Sequence, residues 1–75
     1  MEKTEIFAVL EEVLELDEGT IKGGESLEAL DWESISIVSF IALIDEGFDI
    51  VLSAAELVKC QTTDAIAELV MKAGS

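Results

Sequence analysis

The chain has 75 residues and a formal charge of -13, from 17 acidic side chains against four lysines, with no arginine and no histidine. A length of this order holds one domain, and a hydrophobic content of 51% supplies a core and argues against disorder. Histidine-based triads, histidine metal sites and imidazole bases are excluded, and the shortage of cations disfavours nucleic-acid binding and docking on anionic membranes.

Helical periodicity runs from Thr4 to Leu16, where Ile6, Val9, Leu10, Val13 and Leu14 share a face and Glu5, Glu11, Glu12 and Glu15 point away. Asp17-Glu18-Gly19 is expected to end this helix, with Gly19 as its left-handed stop. Thr20 to Leu30 reads as a long loop, broken by Gly23-Gly24 and pinned by Ile21, Leu27 and Leu30. A second helix is predicted from Ser34 to about Glu46, ended by Gly47, with Phe48 turning back. The run Asp49 to Leu52 has strand-like composition but no partner strand. Ser53-Ala54-Ala55-Glu56 has capping-box spacing and opens a short helix to about Lys59. Thr62 or Thr63 caps a last helix whose buried stripe is Ile66, Leu69 and Val70. The fold class is therefore all-α, a four-helix bundle of three longer helices and one short, with a long loop between helices one and two.

The second helix is apolar on two sides. At about 100° per residue, Ile37, Phe40, Ile41 and Ile44 gather on one side, and Ile35, Val38 and Ala42 gather opposite, beside Ser39 and Glu46. So small a bundle has few helices to cover both, so one strip is expected to face solvent as a docking surface, unless helices one and four wrap this helix fully. On position alone, Ser34 reads as an ordinary first-turn residue. As a nucleophile it would need activation from another protein, since no histidine and no nearby lysine serves as base. An anionic group attached there would meet the free N–H groups of the helix start. Trp32 is read mainly as a loop anchor. Cys60 cannot form an internal disulfide and reads as a small, part-buried thiol. Asp45, Glu46 and Asp49 lack calcium-loop spacing, and any cation site there would be weak. No metal site and no catalytic residue is expected.

The segments Ser26-Leu27-Glu28-Ala29-Leu30-Asp31-Trp32-Glu33-Ser34-Ile35 and Phe40-Ile41-Ala42-Leu43-Ile44-Asp45-Glu46-Gly47-Phe48-Asp49-Ile50 resemble the acyl carrier proteins. The resemblance extends from about Thr4 to Met71. It implies that Ser34 is the attachment point for 4'-phosphopantetheine, transferred from coenzyme A by a separate Mg²⁺-dependent transferase. It implies also that the arm's thiol carries an acyl group as a thioester, held between helices two and three and presented to successive enzymes. The family's usual Asp-Ser-Leu reads here as Glu33-Ser34-Ile35. Fatty-acid carriers tend to have acids where this chain has Ser36 and Ser39, which suggests a specialised carrier of a lipid, polyketide or secondary-metabolite route.

Partner docking is expected on Asp31, Trp32, Glu33, Ile35, Ser36, Val38, Ser39, Ala42 and Glu46. The partners would be the transferase and acyl-loading or acyl-processing enzymes with basic or apolar patches. Two other readings remain open: an interaction domain of the same fold that is never modified, or a carrier of an amino acid. Met1 to Gly19 is acidic and lacks the basic start of a signal peptide, and Ile35 to Ile44 is too short to span a membrane. The expectation is one cytoplasmic, monomeric domain over residues 1–75. At a charge of -13, self-repulsion weakens the fold at low ionic strength. Added salt or millimolar Mg²⁺ is expected to raise the melting temperature, because about 0.1 M salt screens over roughly 10 Å; calorimetry showing no rise with either would refute this.

Overall fold

The computed structural model describes residues 2–74. Four α-helices follow one another: α1 (Lys3–Val13), α2 (Ser34–Phe48), α3 (Ala54–Lys59) and α4 (Thr63–Ala73), with a single 3-10 turn at Leu27–Leu30 inside the long loop. The only β-type pairing among the described residues is an isolated bridge between Ser26 and Thr62. Residues 49–52 are irregular, with Ile50 and Leu52 buried and Val51 exposed. Alternation places two apolar side chains inward there without a neighbouring strand.

The α1 helix packs on α4 and α2, and α3 packs on α2. The centre is filled by Ile6 and Leu10 of α1, Phe40 and Ile44 of α2, Leu57 of α3, and Ile66 and Val70 of α4, all fully buried. The last helix buries Thr63, Ile66, Ala67 and Val70, at the spacing of one helical face, and Leu69 sits at its margin. Phe7 and Ala67 complete the core beside the residues that periodicity selects.

Three helix ends differ from the sequence reading, each for a local reason. The α1 helix stops at Val13, before the expected Leu16, because Glu15 takes the left-handed conformation (φ 56°). The Leu16 N–H then donates back to the Glu11 carbonyl at 2.8 Å, a Schellman-type closure. Gly19, also at positive φ, belongs to the next turn. The α2 helix runs through Gly47 and Phe48 and stops at Asp49 (φ 59°), whose N–H donates to the Asp45 carbonyl. At α3, Ser53 is the N-cap residue but its side chain makes no capping bond. Thr62 caps α4 as expected, its hydroxyl oxygen accepting from the Ala65 N–H at 3.1 Å.

Two carboxylates hold the long loop. Glu11, expected on the outer face of α1, is buried because its Oε2 accepts the Ile21 N–H at 2.8 Å, which lets Ile21 enter the core. Glu25 does more. Its carboxylate accepts the Lys22 N–H at 2.8 Å, the Gly23 N–H at 2.9 Å and the Thr63 hydroxyl at 2.7 Å. Its own carbonyl accepts the Thr63 N–H at 3.0 Å, and the Leu27 N–H donates to the Gln61 carbonyl at 2.9 Å. The tight curl back onto Lys22 and Gly23 requires Gly23 at φ 108° and Gly24 at φ 85°, conformations that side chains resist. At the same end of α4, Lys3 and Asp64 form an ion pair at 2.8 Å, half exposed and therefore of small weight.

The Lys22 N–H first, and the Thr63 hydroxyl after it, pull the Glu25 pKa down from 4.5 to about 2. The unfolded chain thus binds more protons between these values, so Glu25 stabilises the fold fully above about pH 4.5 and loses that effect as pH falls toward 2. Glu25→Gln is expected to cost about 1 kcal/mol near pH 7, the low end for charge-assisted bonds at a solvent-open carboxylate. Denaturant titrations of both proteins against pH should show the gap closing below pH 4.5; a gap constant down to pH 2 would contradict the assignment.

Candidate functional site

The loop brace determines where α2 begins. The 3-10 turn is fixed by buried Leu27 and by the Ser26–Thr62 bridge. Asp31 ends the turn in the left-handed conformation (φ 57°), and the Trp32 N–H donates back to the Leu27 carbonyl at 3.3 Å. Glu33 is then extended, as an N-cap residue should be, and its carbonyl accepts the first helical bond, from the Ile37 N–H at 2.9 Å. Ser34 is the first residue of α2 and is exposed. Its hydroxyl takes no part in the hydrogen-bond network of the described residues. The Glu33 side chain makes no capping bond either, so the first-turn N–H groups of α2 are uncapped by its side chain.

Trp32 lies just inside this helix start. Its ring meets Phe40 edge to face, with centroids 5.8 Å apart and planes at 73°. It is packed against the core and partly buried, which agrees with the loop-anchor reading. Its indole Nε1 is fully buried and has no hydrogen-bond partner.

The outer side of α2 carries the second apolar strip. Ile35 is 75% exposed and Val38 65%, with Ser39, Ala42 and Glu46 exposed beside them. The opposite side, Ile37, Phe40 and Ile44, is buried. Helices α1 and α4 therefore leave this strip open. Asp31 and Glu33 are exposed at its upper end. Ser36 departs from the sequence expectation: it is buried, 8% exposed, because its position on the wheel turns toward α1. It lines a surface groove of about 380 Å³ with Leu14, Leu30 and Ile35, and does not belong to the open strip. On α3, Val58 is likewise 66% exposed.

Other chemistry is weak. Cys60 is partly buried, and burial first, then the nearby Glu56 carboxylate, raise its thiol pKa above the ordinary value, which suppresses thiolate reactivity. Among the described residues no group of three or more metal-ligating side chains could hold an ion, Asp45, Glu46 and Asp49 included. Among the described residues no helix is long and apolar enough to cross a membrane. Sequence reasoning missed Glu25, Thr63 and Glu11. The signal for Glu25 was present in Lys22-Gly23-Gly24-Glu25, an acid two and three residues beyond amides that it can reach.

A phosphopantetheine arm joins its protein through a phosphodiester. An exposed hydroxyl at a helix start with open N–H groups suits that chemistry, because hydrogen-bond donors and the positive helix end both face the anion. A family model described as a phosphopantetheine attachment site matches residues 4–70. No curated protein and no solved structure matches the chain. The match covers the four helices and the loop brace almost completely, and on that ground the chain belongs to the phosphopantetheine-attachment family, as a carrier to which 4'-phosphopantetheine is covalently joined.

Proposed function

We propose that Ser34 is the attachment residue and that the cargo is an acyl group. The observation that carries this is the exposed Ser34 hydroxyl, standing at the head of α2 with no side-chain cap in its way. The bound group supplies a flexible arm ending in a thiol, to which an acyl chain attaches as a thioester. The rest is done by the chain's own residues. The Ser34 Oγ attacks the pantetheine-bearing phosphorus of coenzyme A, the P–O bond of the pyrophosphate breaks, adenosine 3',5'-bisphosphate leaves, and the serine proton passes to a base of the transferase, since the chain has no histidine. The open N–H groups of α2 then hold the phosphodiester. Glu33, one methylene longer than the family's usual aspartate, stands beside Ser34 for the transferase's metal.

The strip of Ile35, Val38, Ser39 and Ala42 is the docking face, with Asp31, Glu33 and Glu46 as its acidic rim, and Trp32 behind it as a support. Its apolar centre supplies the affinity, and the rim sets encounter rate and partner choice. An uncharged run from Ile35 to Ile44 favours processing enzymes whose patch is apolar at the centre and basic at the edge. This is the surface of a specialised carrier: a single, monomeric, cytoplasmic domain that presents acyl intermediates and catalyses nothing itself.

Incubation with coenzyme A and a broad-specificity pantetheinyl transferase is expected to add one phosphopantetheine to the wild type and none to Ser34→Ala, read by mass spectrometry. A wild type left unmodified by several transferases would remove the proposal. Val38→Asp, at an open position, should leave the melting temperature nearly unchanged. It should slow loading by a cognate acyl-transferring enzyme about tenfold, the loss of one modest interface anchor. Equal loading rates for the variant and the wild type would exclude the strip as the docking face.

A further inference from the structure

The indole N–H of Trp32 is a donor with nowhere to donate. Its nitrogen is fully buried and makes no hydrogen bond with any of the described residues. Buried polar groups are nearly always partnered, and an indole N–H can be satisfied only by an acceptor. The ring cannot readily swing the nitrogen out to water. The Trp32 backbone is pinned by its bond to the Leu27 carbonyl and by the left-handed Asp31 before it. The ring itself is set edge to face on fully buried Phe40. The residue as a whole is only partly buried, and it lies two residues before Ser34. A chain tethered at Ser34 is held near Trp32 at high effective concentration. Such a chain is rich in the missing element: the arm has amide carbonyls, and the acyl cargo adds a thioester carbonyl.

Resting on attachment at Ser34, we propose that the Trp32 Nε1–H donates a hydrogen bond to a carbonyl oxygen of the chain tethered there. The loaded chain then folds back against the head of α2 and seats an oxygen in the apolar neighbourhood of Trp32 and Phe40. Trp32 is thus a positioning residue for the carried group. The carbonyl comes either from the arm or from the cargo. If from the cargo, the acceptor is the thioester carbonyl, which every acyl chain brings, or a further oxygen close to it, and the octanoyl and β-keto-octanoyl forms distinguish the two.

The chain has a single tryptophan, so ¹⁵N-labelled protein gives one indole signal. The experiment compares that signal in the unmodified protein, the phosphopantetheine form, the octanoyl form and the β-keto-octanoyl form, each verified by mass. The indole proton is expected to move downfield and to exchange more slowly with solvent on loading. A change with the arm alone identifies an arm amide as the acceptor; a change only with an acyl group identifies the cargo. An indole signal unchanged in all three fully modified forms overturns the proposal. Trp32→Phe keeps a ring and removes the donor, so loading should raise its melting temperature less than it raises that of the wild type. Equal gains also overturn the proposal. A wild type that accepts no arm at all would instead defeat the Ser34 assignment on which this inference rests.

Discussion

The carboxylate of Glu25 is the fixed point of this small protein. It draws two backbone amides of its own loop and the hydroxyl of Thr63 onto one pair of oxygens. Thr63 opens α4, so the loop is tied to the helix that packs on α1. The bonds that follow, from Leu27 to Gln61 and the bridge of Ser26 with Thr62, carry the constraint forward to the 3-10 turn. From there the path to Ser34 is short and geometrically determined by Asp31, Trp32 and Glu33. A loop of this length ordinarily costs entropy and wanders. Here it is braced by charge-assisted bonds at one place and by Ile21 and Leu27 in the core, and the head of α2 inherits its position from that brace.

The α2 helix is asked to do two things, and its composition shows both. One side fills the core with Ile37, Phe40 and Ile44; the other leaves Ile35 and Val38 in water. In a larger protein a helix apolar on both sides would be covered on both. In this chain only α1 and α3 pack appreciably against it, and the outer strip has no cover. Charge elsewhere keeps such a surface soluble. The acids outnumber the lysines by more than four to one, and the strip is bordered by Asp31, Glu33 and Glu46.

Much of this was legible in the sequence. The four helices, the place of Ser34 at a helix start, the two sides of α2 and the Thr62 cap all follow from periodicity and capping chemistry, which act over a few residues. What was not legible was long-range or conformational. Glu11 looked outward by the helical wheel, and only the need of the Ile21 amide for a partner turned it inward. Ser36 was expected among the docking residues, and the packing beside it leaves it buried. The helix ends were misplaced because glycine was expected to supply the left-handed residue, while Glu15 and Asp49 supplied it. The family resemblance was carried by the Glu33-Ser34-Ile35 segment and the residues around it, and the match over residues 4–70 agrees with it.

Those left-handed acids have a further meaning. Glu15, Asp31 and Asp49 each occupy a backbone state where glycine would relax roughly 1 kcal/mol. Glu15 and Asp49 also set a negative side chain against the carbonyl end of a helix, where the macrodipole repels it. The chain thus forgoes ease of folding at three corners to keep anionic groups there. A cation close to Glu15 or Asp49 would offset the repulsion from the helix end, whereas no charge relieves the left-handed backbone itself. The cost of these corners falls on the carrier's own stability, and it is greatest at Glu15 and Asp49, where the acid also meets the end of a helix.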